Sequence, residues 1–153
     1  MPLLSDLPTA IATHLTTSQQ PGGSLAAAAA AVILPEDTHD LGTEITKAVS
    51  KIGLVILVGM PHGINKSTMQ NPNLELQVNL SIAIAEVPIT WRAVVGRPKA
   101  PAIALIIAQL LQNFKVAGFQ YLRVSKLDYI PDKVRQLYEV PIETSLIAPA
   151  LPL

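Results

Sequence analysis

The longest regular pattern in the chain runs from Leu74 to Glu86, LELQVNLSIAIAE. Leu74, Leu76, Val78, Leu80, Ile82 and Ile84 take every second position, with Glu75, Gln77, Asn79, Ser81, Ala83 and Ala85 between them. Side chains alternate faces along a strand, so this spacing predicts one long strand with an aliphatic face and a polar-to-small face. At about 3.3 Å per residue it spans roughly 40 Å, well beyond the usual five or six residues. Such a strand runs through the centre of a sheet, or past its edge toward a neighbouring subunit.

Helical spacing marks the flanking segments. Leu4, Leu7, Ile11 and Leu15 recur three and four residues apart and predict a first amphipathic helix within residues 1–20, ending before Gln19-Gln20-Pro21-Gly22-Gly23. Ser24 followed by Ala26 to Ala31 favours a short capped helix, although the drift into Val32-Ile33-Leu34 is equally compatible with a strand. Leu41, Ile45, Ala48, Val49 and Ile52 predict a helix closed by Gly53, and Leu54 to Val58 reads as a short strand buried on both faces. Met60 to Asn73 shows no periodicity and reads as a long loop. Ile89 to Pro98 is a second connection. Ala102, Ile103, Ile106, Ile107, Leu110, Leu111 and Phe114 form a broad helical stripe that must lie on a sheet, with Pro101 tolerated in its first turn. Phe119–Tyr129 and Val134–Leu146 read as two closing strands hinged at Pro131-Asp132, and 147–153 as a docking tail.

The expected fold is therefore α+β: a mixed, mostly antiparallel sheet of about four to five strands with helices packed on it, in a single domain over 1–153. Its composition is unusual. Half of the 153 residues are hydrophobic and only 14% are charged, against about 25% charged in an ordinary soluble domain. A chain this poor in charge is expected to hide part of its surface in an oligomer. Eleven basic and eleven acidic residues cancel, so no global field draws in nucleic acid. The absence of cysteine excludes a disulfide framework and a thiolate nucleophile, and fits an intracellular origin. No basic segment precedes an apolar core at the N-terminus, so no signal peptide is expected. The apolar run Leu25–Leu34 covers ten residues, far short of the roughly 20 that cross a bilayer.

The candidate chemistry is sparse. Gly59-Met60-Pro61-His62-Gly63-Ile64-Asn65-Lys66-Ser67-Thr68 follows a hydrophobic strand but fails the phosphate-loop spacing: three residues separate its glycines, and two precede Lys66. His39 lies among Glu36, Asp37 and Asp40, which are metal-ligand types, yet Asp37, Thr38 or Asp40 is better explained as a cap for the following helix. His14 and His62 are too isolated to form a ligand set. Glu86 ends the aliphatic row on the inward face; it is either an acid–base group of burial-raised pKa or, preferably, a structural partner of Arg92 or of an arginine on a neighbouring chain. Arg92, Arg97 and Lys99 suit a solvated or intersubunit loop better than a DNA contact. Trp91 beside them reads as a displayed interface anchor. No metal, cofactor or catalytic residue is assigned, and the chain is not expected to be an enzyme.

From about Leu54 to Leu146 the chain resembles the tail terminator, or tail completion, proteins of long-tailed bacteriophages. The resemblance rests on the alternating strand ending in an acid and proline, VNLSIAIAEVP, and the loop ITWRAVVGRPKAP. The helix AIALIIAQLLQNF and the closing segments FQYLRVSKLDYI and VRQLYEVPIETSL follow it in order, behind a similar N-terminal helix. It implies a structural virion protein in the phage tail or neck, assembled in the host cytoplasm. Six copies would form a ring that caps the tail tube, halts its polymerisation and presents a surface to the head–tail connector or neck protein. Implied partners are other copies of the chain, the tail tube protein, the connector and the sheath protein where a tail has one. DNA would only pass through the lumen, and no membrane is involved. A closing ring needs heterologous interfaces that consume apolar surface, which suits the low charge. Loops 60–73 and 87–98 would supply the contacts, making His62, Lys66, Trp91, Arg92, Arg97 and the adjacent Glu86 and Lys99 the interface candidates.

Two other readings compete. A head-to-tail joining or head-completion protein would differ mainly in its axial partners. A small ligand-binding or enzymatic domain would require Glu86, Arg92 and His62 to converge on one pocket.

Overall fold

The alternation in Leu74–Glu86 does dictate a central strand. The structure, a computed structural model, describes residues 3–70 and 72–148. Its elements run α1 (Asp6–Ser18), β1 (Val32–Pro35), α2 (Leu41–Lys51), β2 (Leu54–Val58), β3 (His62–Asn65), β4 (Leu74–Glu86), α3 (Pro88–Trp91), α4 (Ala100–Leu111), β5 (Arg123–Val124), β6 (Asp128–Ile130) and β7 (Gln136–Ala148). The class is α+β with one mixed sheet, in which β1 and β2 are parallel and every other pair antiparallel. Among the described residues the sheet has seven strands rather than four or five, in the order β1-β2-β4-β7-β5, with β3 on β4 and β6 on β7.

The long strand β4 pairs along its whole length with β7, from Leu74 opposite Ala148 to Glu86 opposite Gln136. On its other edge the C-terminal half pairs with β2 and the N-terminal half with β3. One face of this spine carries Val78, Leu80, Ile82 and Ile84 of β4, Leu54, Ile56 and Val58 of β2, and Val140, Ile142 and Leu146 of β7. Against it lie α1 through Leu7, Ile11 and Leu15, and α4 through Ile103, Ile107 and Leu111. Removing each such side chain from water is favourable by about 1.5–3 kcal/mol, so this face holds most of the fold's hydrophobic stabilisation. Phe114, expected inside the last long helix, lies beyond its end at Leu111 and stacks on His14 of α1 with ring centroids 4.0 Å apart.

Parallel strands need a crossover connection, and α2 supplies it between β1 and β2 on the opposite face. Its Ala48, with Leu41, Ile45 and Val49 beside it, packs on Leu34, Val55, Leu57 and Ala85. Gly53 ends that crossover at φ +88°, and a Cβ there would lie 2.5 Å from the Trp91 nitrogen. Only glycine fits so tight a junction.

Several expectations shift. The alanine run forms a single 3₁₀ turn, Ala26–Ala28, with no capping bond from Ser24. The Gln19 amide donates to the carbonyls of Ala28 and Ala31, taking up acceptors that a longer helix would use, and β1 begins at once. Asp40 is the residue before α2 but adopts φ 53° and makes no side-chain cap bond. The loop 60–73 contains β3, and 119–129 is mostly irregular, with only the short β5 and β6 pairing to β7. Val134, the expected start of the last strand, lies before β7 and is 72% exposed. Of the expected tail 147–153, Ile147 and Ala148 continue β7 and the remainder lies outside the described residues.

Candidate functional site

Period-two alternation puts Glu86 on the helix-covered face at the end of β4, where its side chain is fully buried. Pro88 opens the one-turn helix α3, which reverses the chain and returns Arg92 to the carboxylate. Arg92 Nε donates to Glu86 Oε2 and Nη2 to Oε1, each at 2.9 Å, in the two-pronged geometry that makes such pairs strong. Nη2 also donates to Gln136 Oε1 at 3.1 Å, and the Ala100 amide donates to Glu86 Oε1 at 3.2 Å. The carboxylate therefore sits at the positive end of α4, and Arg92, which it holds at the end of α3, reaches on to Gln136 of β7. Its hydrogen bond pushes the Arg92 guanidinium further above its already high ordinary value. Of the partners weighed for Glu86, the structure selects Arg92 of the same chain.

Trp91 departs from expectation. It is fully buried among the residues under α4, so it anchors the protomer's own core and is not displayed. Its indole nitrogen donates to the Pro98 carbonyl at 2.7 Å, which pins the base of the connecting loop. Arg97 stacks over the indole at 4.4 Å from the ring centre and donates to the Trp91 carbonyl at 3.3 Å. Between these pins the loop leaves the body: Val94 is 51% exposed and Val95 98%. Lys99, also exposed, precedes α4.

The far face of the sheet is covered only in part. Beyond α2 a cavity of about 640 Å³ opens over β4 and β7, within the range of ordinary ligand pockets. Glu36, Asn79, Glu139 and Glu143 line it with His62, over a floor that includes Leu57 and Pro141. Glu36 Oε2 accepts the Met60 amide at 2.7 Å and fixes that rim. His62 pairs opposite Asn79, seven positions from Glu86 along β4, or roughly 23 Å at the rise of a strand. Glu86, Arg92 and His62 therefore form no common pocket. Lys66 is exposed just past β3, where its amide donates to the Glu75 carbonyl at 2.7 Å. Among the described residues His39 meets only the neighbouring Asp40, at 3.2 Å and in the open. Among the described residues no three His, Asp or Glu side chains are grouped to hold a metal ion.

The candidates thus separate into a buried clamp (Glu86, Arg92, Trp91, Arg97) carrying an exposed loop, and a carboxylate-lined cavity on the other face. Sequence reasoning missed that cavity. Its signal was present in β7, where Glu139, Pro141 and Glu143 alternate with Val140 and Ile142 and so share a face. No protein-family model matches the chain, and no curated protein matches it in sequence. Among the described residues no helix is long and apolar enough to cross a membrane.

Proposed function

We propose that the chain is a structural subunit that closes into a homo-oligomeric ring, in the manner of a phage tail terminator. In that role it caps the tail tube, stops its growth and joins it to the head connector or neck within the virion. One observation carries the reading. The core is sealed, yet large aliphatic side chains stand outside it at both ends of β4: Ile64 and Met69 near its start, and Ile89, Val94 and Val95 beyond its end. Single exposed apolar residues are normal, but groups at opposite ends of one spine in so weakly charged a chain suit contacts between copies. The role is one of assembly, with no catalytic residue and no cofactor, and DNA meets the ring only in transit.

Light scattering coupled to size exclusion tests it directly. The expected mass is six times that of one chain, with rings in negative stain. A mass equal to one chain from micromolar to submillimolar concentration overturns the proposal. Binding of the assembled ring to tail-tube ends, against binding to an isolated head connector alone, separates tail termination from head completion.

A further inference from the structure

The chain is neutral as a whole, but its acidic and basic residues are unevenly spread along it. Between Val87 and Leu127 there is no Asp or Glu, while Arg92, Arg97, Lys99, Lys115, Arg123 and Lys126 all fall there. The cavity on the opposite side of the sheet is lined by Glu36, Glu139 and Glu143 and by no Lys or Arg. Among the described residues neither Glu139 nor Glu143 belongs to an ion pair, and neither Arg97 nor Lys99 faces a carboxylate. Glu139 lies opposite a further acid, Asp128, which is itself paired with Lys126 at 3.0 Å, and Glu143 lies opposite Arg123 in the strand register.

We propose that the loop Ala93–Lys99 of one copy seats in the Glu36–Glu139–Glu143 cavity of the next. Five features of the two surfaces support the contact. The loop brings the exposed Lys99 to carboxylates that belong to no ion pair among the described residues, and its exposed tip, Val94 and Val95, meets an apolar floor of Leu57, Ala83 and Pro141. The loop is stiff at its base, where the Trp91–Pro98 hydrogen bond and the Arg97 stack hold it, so little freedom is lost on docking. The cavity volume is that of a site for a small inserted group rather than a flat contact. Finally, the loop springs from the helix-covered face, where Trp91 is buried, and the cavity opens on the other. One molecule cannot bring them together, so the contact joins two different patches on successive copies. A contact of that kind is heterologous, and it builds a ring when the rotation closes. The inference rests on the ring reading above and names the surfaces that make the ring.

Two variants test it: Val95→Asp with Lys99→Glu on the loop, and Glu139→Lys with Glu143→Lys in the cavity. All four residues are exposed or half-buried, and urea unfolding checks that each variant keeps its fold. Each variant alone is expected to run at the mass of one chain, at concentrations where the unaltered chain is assembled. Mixed in equal amounts they are expected to assemble again, because an intact loop meets an intact cavity at one junction and the reversed charges face each other at the next. Variants that assemble like the unaltered chain, or a mixture that stays monomeric, overturn this contact while leaving the ring in place. An unaltered chain that is itself monomeric removes the ring and the contact together.

Discussion

Replacing Glu86 by alanine removes the acceptor that Arg92, at the end of α3, and Ala100, at the start of α4, share. The buried Ala100 amide loses its partner, and such an orphaned group costs about 1–3 kcal/mol. The Arg92 guanidinium loses both prongs of its pair, though it keeps Gln136 and is 32% exposed, so water compensates part of that loss. Breaking a buried pair by deleting one partner typically costs about 3–5 kcal/mol, and the exposure of Arg92 places this case near the lower end, at about 3–4 kcal/mol. For a chain of this length that lowers the melting temperature by roughly 6–16 °C. Trp91 is the single tryptophan and lies one residue from Arg92, so its fluorescence in a urea titration reads the clamp directly. Glu86→Gln keeps the shape and one oxygen acceptor, and is expected to lose about half as much. A Glu86→Ala chain within about 1 kcal/mol of the unaltered protein would refute the reasoning and make the clamp a bystander.

Other expectations follow from burial and backbone. Ile103 and Leu105 lie on one helix, but Ile103 is fully buried and Leu105 51% exposed; Ile103→Asp should abolish cooperative unfolding, whereas Leu105→Asp should stay within about 0.5 kcal/mol by urea titration. Gly53→Ala should cost at least about 2 kcal/mol because φ +88° and the Trp91 backbone both oppose a Cβ. Gly42→Ala, in α2 with open space around it, should instead stabilise by about 0.5 kcal/mol, and thermal melts of the pair show the opposite signs. Asp132 accepts the Val134 and Arg135 amides, which hold its carboxyl below the usual carboxylate range. A lowered folded value means that this stabilisation is present at neutral pH and is lost as pH falls through it. The two amide resonances should therefore shift together in an acid titration, at a lower pH than an ordinary aspartate, and independent movement would contradict the assignment.

Legibility in the sequence followed the amount of side-chain periodicity. β4 was readable to the residue, because thirteen alternating positions admit no other register. The first helix, the crossover helix and the aliphatic helix were readable for the same reason at period 3.6. β3 was not: HGIN has no alternation, and those residues are a strand because β4 offers them an edge. β5 and β6 likewise owe their existence to β7 and not to their own composition. The Glu86–Arg92 pair was readable, since an acid closing an aliphatic row needs a nearby cation. Trp91 was misread because loop position alone does not reveal that a one-turn helix folds the ring back under α4. The cavity was missed because it depends on where α2 stops covering the sheet, which no local pattern encodes.

The β4–β7 ladder joins residues that lie between 50 and 74 positions apart along the chain. Closing loops of that size before any contact rewards them makes folding slow, and helices can form in the interval. Until β7 arrives, β4 is a long greasy ribbon with one side unpaired, the kind of template on which foreign strands gather. The step that gives the finished molecule its backbone is thus the one at which a crowded cell, or a hot refolding buffer, would most readily divert it into aggregates.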